Sequence, residues 1–142
     1  METSRLETTR PDPKRLALTA GLAGALAAFA NAAVYVIARA LGAMPEGVLV
    51  ETPRGAQPIT LAPVLTASFV PALVAALVLG GLVAFTRRGV RTFIIVALAV
   101  LVVSMLPVVT TPGLPFGMRV VLGAMHVVAW GVITNVLVRR GV

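Results

Sequence analysis

His126 is the only histidine in the chain, and it lies within residues 120–138, a run that is otherwise almost wholly apolar. A run of about 18 or more apolar residues is long enough to cross a bilayer as a helix. An ionisable side chain inside such a run marks a candidate functional site. A desolvated, neutral imidazole there could bind a proton, a ligand or a polar lipid group. The only tryptophan, Trp130, follows one helical turn later.

Three other polar residues share the depth of His126. Asn31 falls within the apolar run 16–38, Ser68 within 61–85 and Ser104 within 93–109. At ~1.5 Å rise per residue, each of the four lies roughly 8–10 Å below the outer end of its run. Asn31, Tyr35 and Arg39 are spaced four and four, so they stack on one helix face that climbs from this layer towards the outer surface. The spacing therefore defines a candidate polar layer or pocket of Asn31, Tyr35, Ser68, Ser104 and His126. Arg39 and Arg119 would stand at its mouth, where they could attract an anionic group. A structural role fits the same residues. Polar groups in hydrocarbon need partners, so Asn31 would satisfy His126, while Tyr35 joins the interfacial belt and Arg39 snorkels to the headgroups.

Catalytic and metal chemistry find little support. The sequence has no cysteine, and none of the apolar runs contains an acidic residue. One histidine without such neighbours cannot make a closed zinc site, and a catalytic triad would lack its acid. A glycine-rich phosphate-binding motif is also missing. A lone histidine could ligate a haem iron, but nothing else points to haem. The expected reading is a non-enzymatic protein without cofactor or metal. Two other functions stay open: permeation of a small molecule or ion by an oligomer, and a membrane redox or enzyme subunit using His126.

The elements that hold these residues follow from composition and charge. Of 142 residues, 58% are hydrophobic and 12% charged, against about 25% charged in a soluble domain. Lipid is therefore the main solvent. Four spans are expected, at about 16–38, 61–85, 93–109 and 120–138. Residues 1–15, polar and carrying Pro11 and Pro13, read as a flexible cytoplasmic tail preceding one domain, 16–142. A signal peptide cleaved after Ala28-Phe29-Ala30 is a rival reading of the first run, although the apolar run continues beyond that site. Pro71 should kink the second span.

Residues 40–60 carry Pro45, Gly47, Pro53, Gly55 and Pro58, too many breakers for a helix. Val48-Leu49-Val50 and Pro58-Ile59-Thr60-Leu61 flank the turn-like Thr52-Pro53-Arg54-Gly55, so this cap has the pattern of a short β-hairpin. In the first span Ala20, Gly24, Ala28 and Ala32 recur every four residues, a ladder that lets helix backbones approach closely in lipid. Gly123 and Gly131 lie on nearly one face of the fourth span.

Twelve Lys and Arg against five Asp and Glu give a net charge of +7, which in a soluble protein would suggest nucleic acid. Here their positions matter more. Arg5, Arg10, Lys14, Arg15, Arg87, Arg88, Arg91, Arg139 and Arg140 fall on one side, and Arg39, Arg54 and Arg119 on the other. Cytoplasmic loops are enriched in Lys and Arg, so both termini are expected in the cytoplasm. The expected partners are membrane lipids and a membrane protein or second copy of the chain, not nucleic acid.

The stretches 31–42 (NAAVYVIARALG), 62–78 (APVLTASFVPALVAALV) and 124–133 (AMHVVAWGVI) resemble a bacterial family of small uncharacterised membrane proteins. That family is common in actinobacteria and known as a domain of unknown function. Its pattern would fall on Asn31, Pro71 and Met125-His126. The resemblance implies four helices and supplies no activity. The expected fold is thus all-α: a membrane-embedded, antiparallel four-helix bundle in the cytoplasmic membrane with a short extracytoplasmic cap.

Overall fold

Four long helices form the chain's framework, in a computed structural model that describes residues 12–52 and 55–142. They are α1 (Pro13–Ala40), α2 (Leu61–Phe85), α3 (Gly89–Thr110) and α4 (Phe116–Arg140). Each is long and apolar enough to cross a membrane, as expected of a multi-pass membrane protein. Between α1 and α2 two short strands, β1 (Leu49–Thr52) and β2 (Gly55–Pro58), pair antiparallel with Leu49 opposite Pro58 and Thr52 opposite Gly55.

Three helices extend beyond the apolar runs, because polar residues at a membrane interface continue a helix without interrupting its hydrogen bonds. α1 takes in Pro13, Lys14 and Arg15, which composition alone assigned to the tail. The start is chemically marked: Asp12 is the N-cap, its carboxylate accepting from the Lys14 amide at 3.0 Å, and Pro13 occupies the first turn, where its missing N–H is not needed. The rest of the tail, with Arg5 and Arg10, lies outside the described residues, as do Pro53 and Arg54. α1 continues unbroken through Ala28, Phe29 and Ala30, and α2 runs as one helix through Pro71. The second strand begins at Gly55, earlier than the expected Pro58.

α1 packs most extensively on α2 and then on α4; α3 packs on α2 and α4 but does not meet α1. The bundle is therefore a ring with α2 and α4 across its short diagonal. Its core has two apolar clusters. At the end where α1 begins and α4 finishes, Ala20, Ala23 and Ala27 of α1 meet Ala72, Ala76 and Leu79 of α2, Phe93 of α3 and Leu137 of α4. At the capped end, Ala38, Met44, Val64, Leu114, Met118 and Met125 form the second. In lipid there is little hydrophobic gain in bringing helices together, so close backbone approach has to supply the attraction. The α1 ladder does this within the bundle: Ala20, Gly24 and Ala28 are buried, and a Cβ on Gly24 would meet Cδ2 of Phe69 at 2.8 Å. α3 is the loosest helix, its buried residues Gly89, Phe93 and Val108 lying only near its two ends.

Candidate functional site

The candidate residues separate into an inner pair and an outer cleft. Between the two apolar clusters, Asn31 of α1 donates from Nδ2 to Ser68 Oγ of α2 at 2.9 Å. Ser68 in turn donates to the Val64 carbonyl at 2.7 Å. Both side chains are buried, at 4% and 3% exposure. The shared depth read from the sequence thus becomes a contact across the α1–α2 seam.

Ser104 and His126 do not join that pair. Ser104 Oγ donates to Leu101 O at 2.7 Å, within its own helix. His126 Nδ1 lies 2.7 Å from Leu122 O. A carbonyl can only accept, so Nδ1 is the donor in this contact. Helical backbone carbonyls three or four residues back are the nearest acceptors for such side chains in hydrocarbon, which is why two members of the layer are satisfied locally. Two buried polar atoms have no partner among the described residues: Asn31 Oδ1, an acceptor, and Trp130 Nε1, a donor.

The outer cleft is built where α1 ends. Leu41 caps the helix, and the chain reverses through Gly42, at φ 71°, so that Ala43 and Met44 return their amides to Ala38 O. That turn brings Met44 and Glu46 back over Arg39. The guanidinium donates to Met44 O at 3.4 Å and forms an ion pair with Glu46. One turn below, the Tyr35 hydroxyl donates to Ile59 O at 3.3 Å, tying α1 to the segment after β2. Tyr35, Arg39, Glu46, Ile59, Thr60 and Met118 help line a cleft of about 210 Å³ under the cap. Glu46 and Met118 were not candidates in the sequence. The signal for Glu46 was an acid seven residues after Arg39, just beyond the turn that ends the first span.

Arg119 lies elsewhere. It does not line the cleft but donates to the carbonyls of Leu114 at 3.0 Å, Thr111 at 2.8 Å, Val108 at 3.4 Å, and Val109. The last carbonyls of a helix lack intrahelical donors, and α3 ends in a loop containing Pro112 and Pro115, which have no N–H to offer. The arginine supplies what the prolines cannot. No group of three or more His, Asp and Glu residues that could hold a metal gathers among the described residues.

The inner pair has an asymmetric expected response. Ser68→Ala should destabilise the protein by about 1 kcal/mol, since Asn31 would then have both ends unpaired in hydrocarbon. Asn31→Leu should be nearly neutral, because it removes the orphaned acceptor together with the bond. Reversible unfolding in mixed micelles measures both; equal losses for the two variants would contradict this assignment.

The chain matches no curated protein and no solved structure. A model for a family of unknown function, DUF6069, matches residues 11–142, nearly the whole chain, and the protein belongs to that family.

Proposed function

We propose that this protein is a small, non-enzymatic component of a bacterial cytoplasmic membrane that binds a lipid or membrane partner through its outer cap and helix faces, with both termini in the cytoplasm. The observation carrying this reading is the cleft under the cap, where Arg39, Tyr35 and Thr60 surround about 210 Å³ of space. A cleft of that size at a membrane interface suits a headgroup or a short polar segment better than a drug-sized substrate. The orientation draws support from charge. Lys14, Arg15, Arg87, Arg88, Arg91, Arg139 and Arg140 stand at the terminal end, whereas at the capped end Arg39 is ion-paired and Arg119 is engaged by carbonyls. The polar groups within the helices also favour binding over catalysis, since the Ser68 and Ser104 hydroxyls and Nδ1 of His126 are each engaged with a backbone carbonyl.

The chain's lack of cysteine makes the test direct. Thr60→Cys, carrying a photoreactive maleimide, should give a discrete lipid or protein adduct in native membranes, and Tyr35→Ala should reduce it several-fold. Phe116→Cys, at an 82% exposed position at the same end, serves as the lipid-facing control. Adducts from Thr60 no different from those of Phe116 would remove the basis for a binding cleft.

A further inference from the structure

At the opposite end of the bundle, the first turns of α1 lie beside the last turn of α4. Arg15 Nε donates to the Arg140 carbonyl at 2.8 Å, and Thr19 Oγ1 to the same oxygen at 3.3 Å. These bonds satisfy the end of α4 and fix the two helices as the walls of an open groove of about 510 Å³. Lys14, Arg15 and Arg140 bring three positive charges to it, and Asp12 one negative charge. Asp12 is already engaged as the α1 N-cap. Among the described residues, the Lys14 ammonium and the Arg140 guanidinium have no hydrogen-bond or ion-pair partner.

The groove's floor continues in a different chemistry. Lys14, Leu18 and Leu22 are spaced four and four, so they descend one face of α1 from the interface into the apolar zone. Leu18 is 77% and Leu22 39% exposed, and both line the groove. Over roughly 12 Å of helix the surface passes from unpaired cations to bare aliphatic side chains. A free phosphate would use only the upper part and a neutral lipid only the lower.

We infer that this groove binds one anionic phospholipid, its phosphate held between Lys14, Arg15 and Arg140 and an acyl chain lying along Leu18 and Leu22. This site is separate from the cleft under the cap and stands whether or not that cleft binds anything. Basic pockets between membrane helices recognise anionic headgroups by this combination of charge and apolar wall.

The test is native mass spectrometry of the full chain released from micelles holding equal phosphatidylglycerol and phosphatidylcholine. The wild-type protein should retain one phosphatidylglycerol in preference to phosphatidylcholine. Lys14→Gln with Arg140→Gln removes two charges while leaving the Arg15 bond to the Arg140 backbone. It should weaken retention about fivefold for each charge, roughly twenty- to thirtyfold together. Arg87→Gln with Arg88→Gln removes the same charge from the α2–α3 turn at the same end and should change retention little. Glycerol 3-phosphate at millimolar concentration should not displace the lipid. Equal retention of the two lipids by the wild type, equal loss in both double variants, or displacement by glycerol 3-phosphate would each overturn the inference. Lys14 and Arg140 are exposed and their side chains make no hydrogen bond or ion pair among the described residues, so unchanged thermal unfolding is expected for their variant; a lowered midpoint there would assign the two cations to structure.

Discussion

Gly24→Leu is expected to pry α1 from α2 and destabilise the protein by about 3 kcal/mol, at the upper end of what overpacking costs. The reason is local. A Cβ at position 24 would stand 2.8, 3.0 and 3.2 Å from Cδ2, Cε2 and Cγ of Phe69, a planar ring with no flexible tip to yield. Ala20, Ala23 and Ala27 line the same seam at 2%, 0% and 0% exposure, so the helices have little slack on either side. In lipid the displaced helix gains no compensation from staying associated, because tails solvate an apolar face as well as another helix does. Gly21 provides the comparison. A Cβ there meets nothing within 4 Å, so Gly21→Leu should leave stability unchanged. Phe69→Ala should partly rescue Gly24→Leu, since it empties the space the new side chain needs. Reversible unfolding in mixed micelles gives all four values; equal effects at positions 21 and 24, or no rescue, would show that the seam does not depend on this contact.

Much of the fold could be read from the chain because lipid imposes so simple a rule. Four uncharged runs of membrane length, separated by prolines, glycines and arginines, permit few architectures, and the four helices fall where those runs do. The helix ends were harder. Asp12 as a cap and Pro13 in a first turn resemble tail residues by composition, and only their hydrogen bonding places them in α1. The ladder Ala20, Gly24, Ala28 named a packing face without its partner, since a small residue says that something approaches closely but not what. Phe69 answers that for Gly24.

The candidate site was legible in depth but not in rotation. Asn31 and Ser68 lie in one layer and bond, whereas Ser104 and His126, at matching depth, turn to carbonyls of their own helices. Depth follows from counting residues at ~1.5 Å each. The choice between a cross-helix partner and a local carbonyl depends on how far apart neighbouring helices stand, and α3 is buried only near its ends. The same distinction separates the two outer arginines among the described residues. Arg39 has an acid within reach across the Gly42 turn, and Arg119 faces a proline-rich loop full of carbonyls.

That environment makes Arg119 the side chain whose loss should most disturb the capped end. Its guanidinium reaches carbonyls of α3's last turns, Val108 and Val109, and of the following loop, Thr111 and Leu114. It therefore joins α3 to α4 through backbone rather than through side-chain packing. Val108, whose carbonyl it reaches, is 7% exposed, and Leu114 and Met118, which belong to the apolar cluster of the capped end, are 7% and 2% exposed. α3 otherwise has buried anchors only at Gly89 and Phe93. Bonds to a charged donor contribute about 1.5–3 kcal/mol each when buried, but they share one partly exposed side chain, so the total for Arg119→Gln is expected near 3 kcal/mol. Lysine would keep the charge but not the planar fork, which carries five donors. Arg119→Lys should therefore lose most of the same stability. This separates the carbonyl-binding role from simple electrostatic attraction of an anion, which lysine would preserve. Amide exchange of Val109, Thr110 and Thr111 should quicken in both variants, while the adduct at Thr60→Cys stays unchanged because Arg119 does not line that cleft. Stability retained in Arg119→Lys together with a lost adduct would instead return Arg119 to the mouth of the binding site.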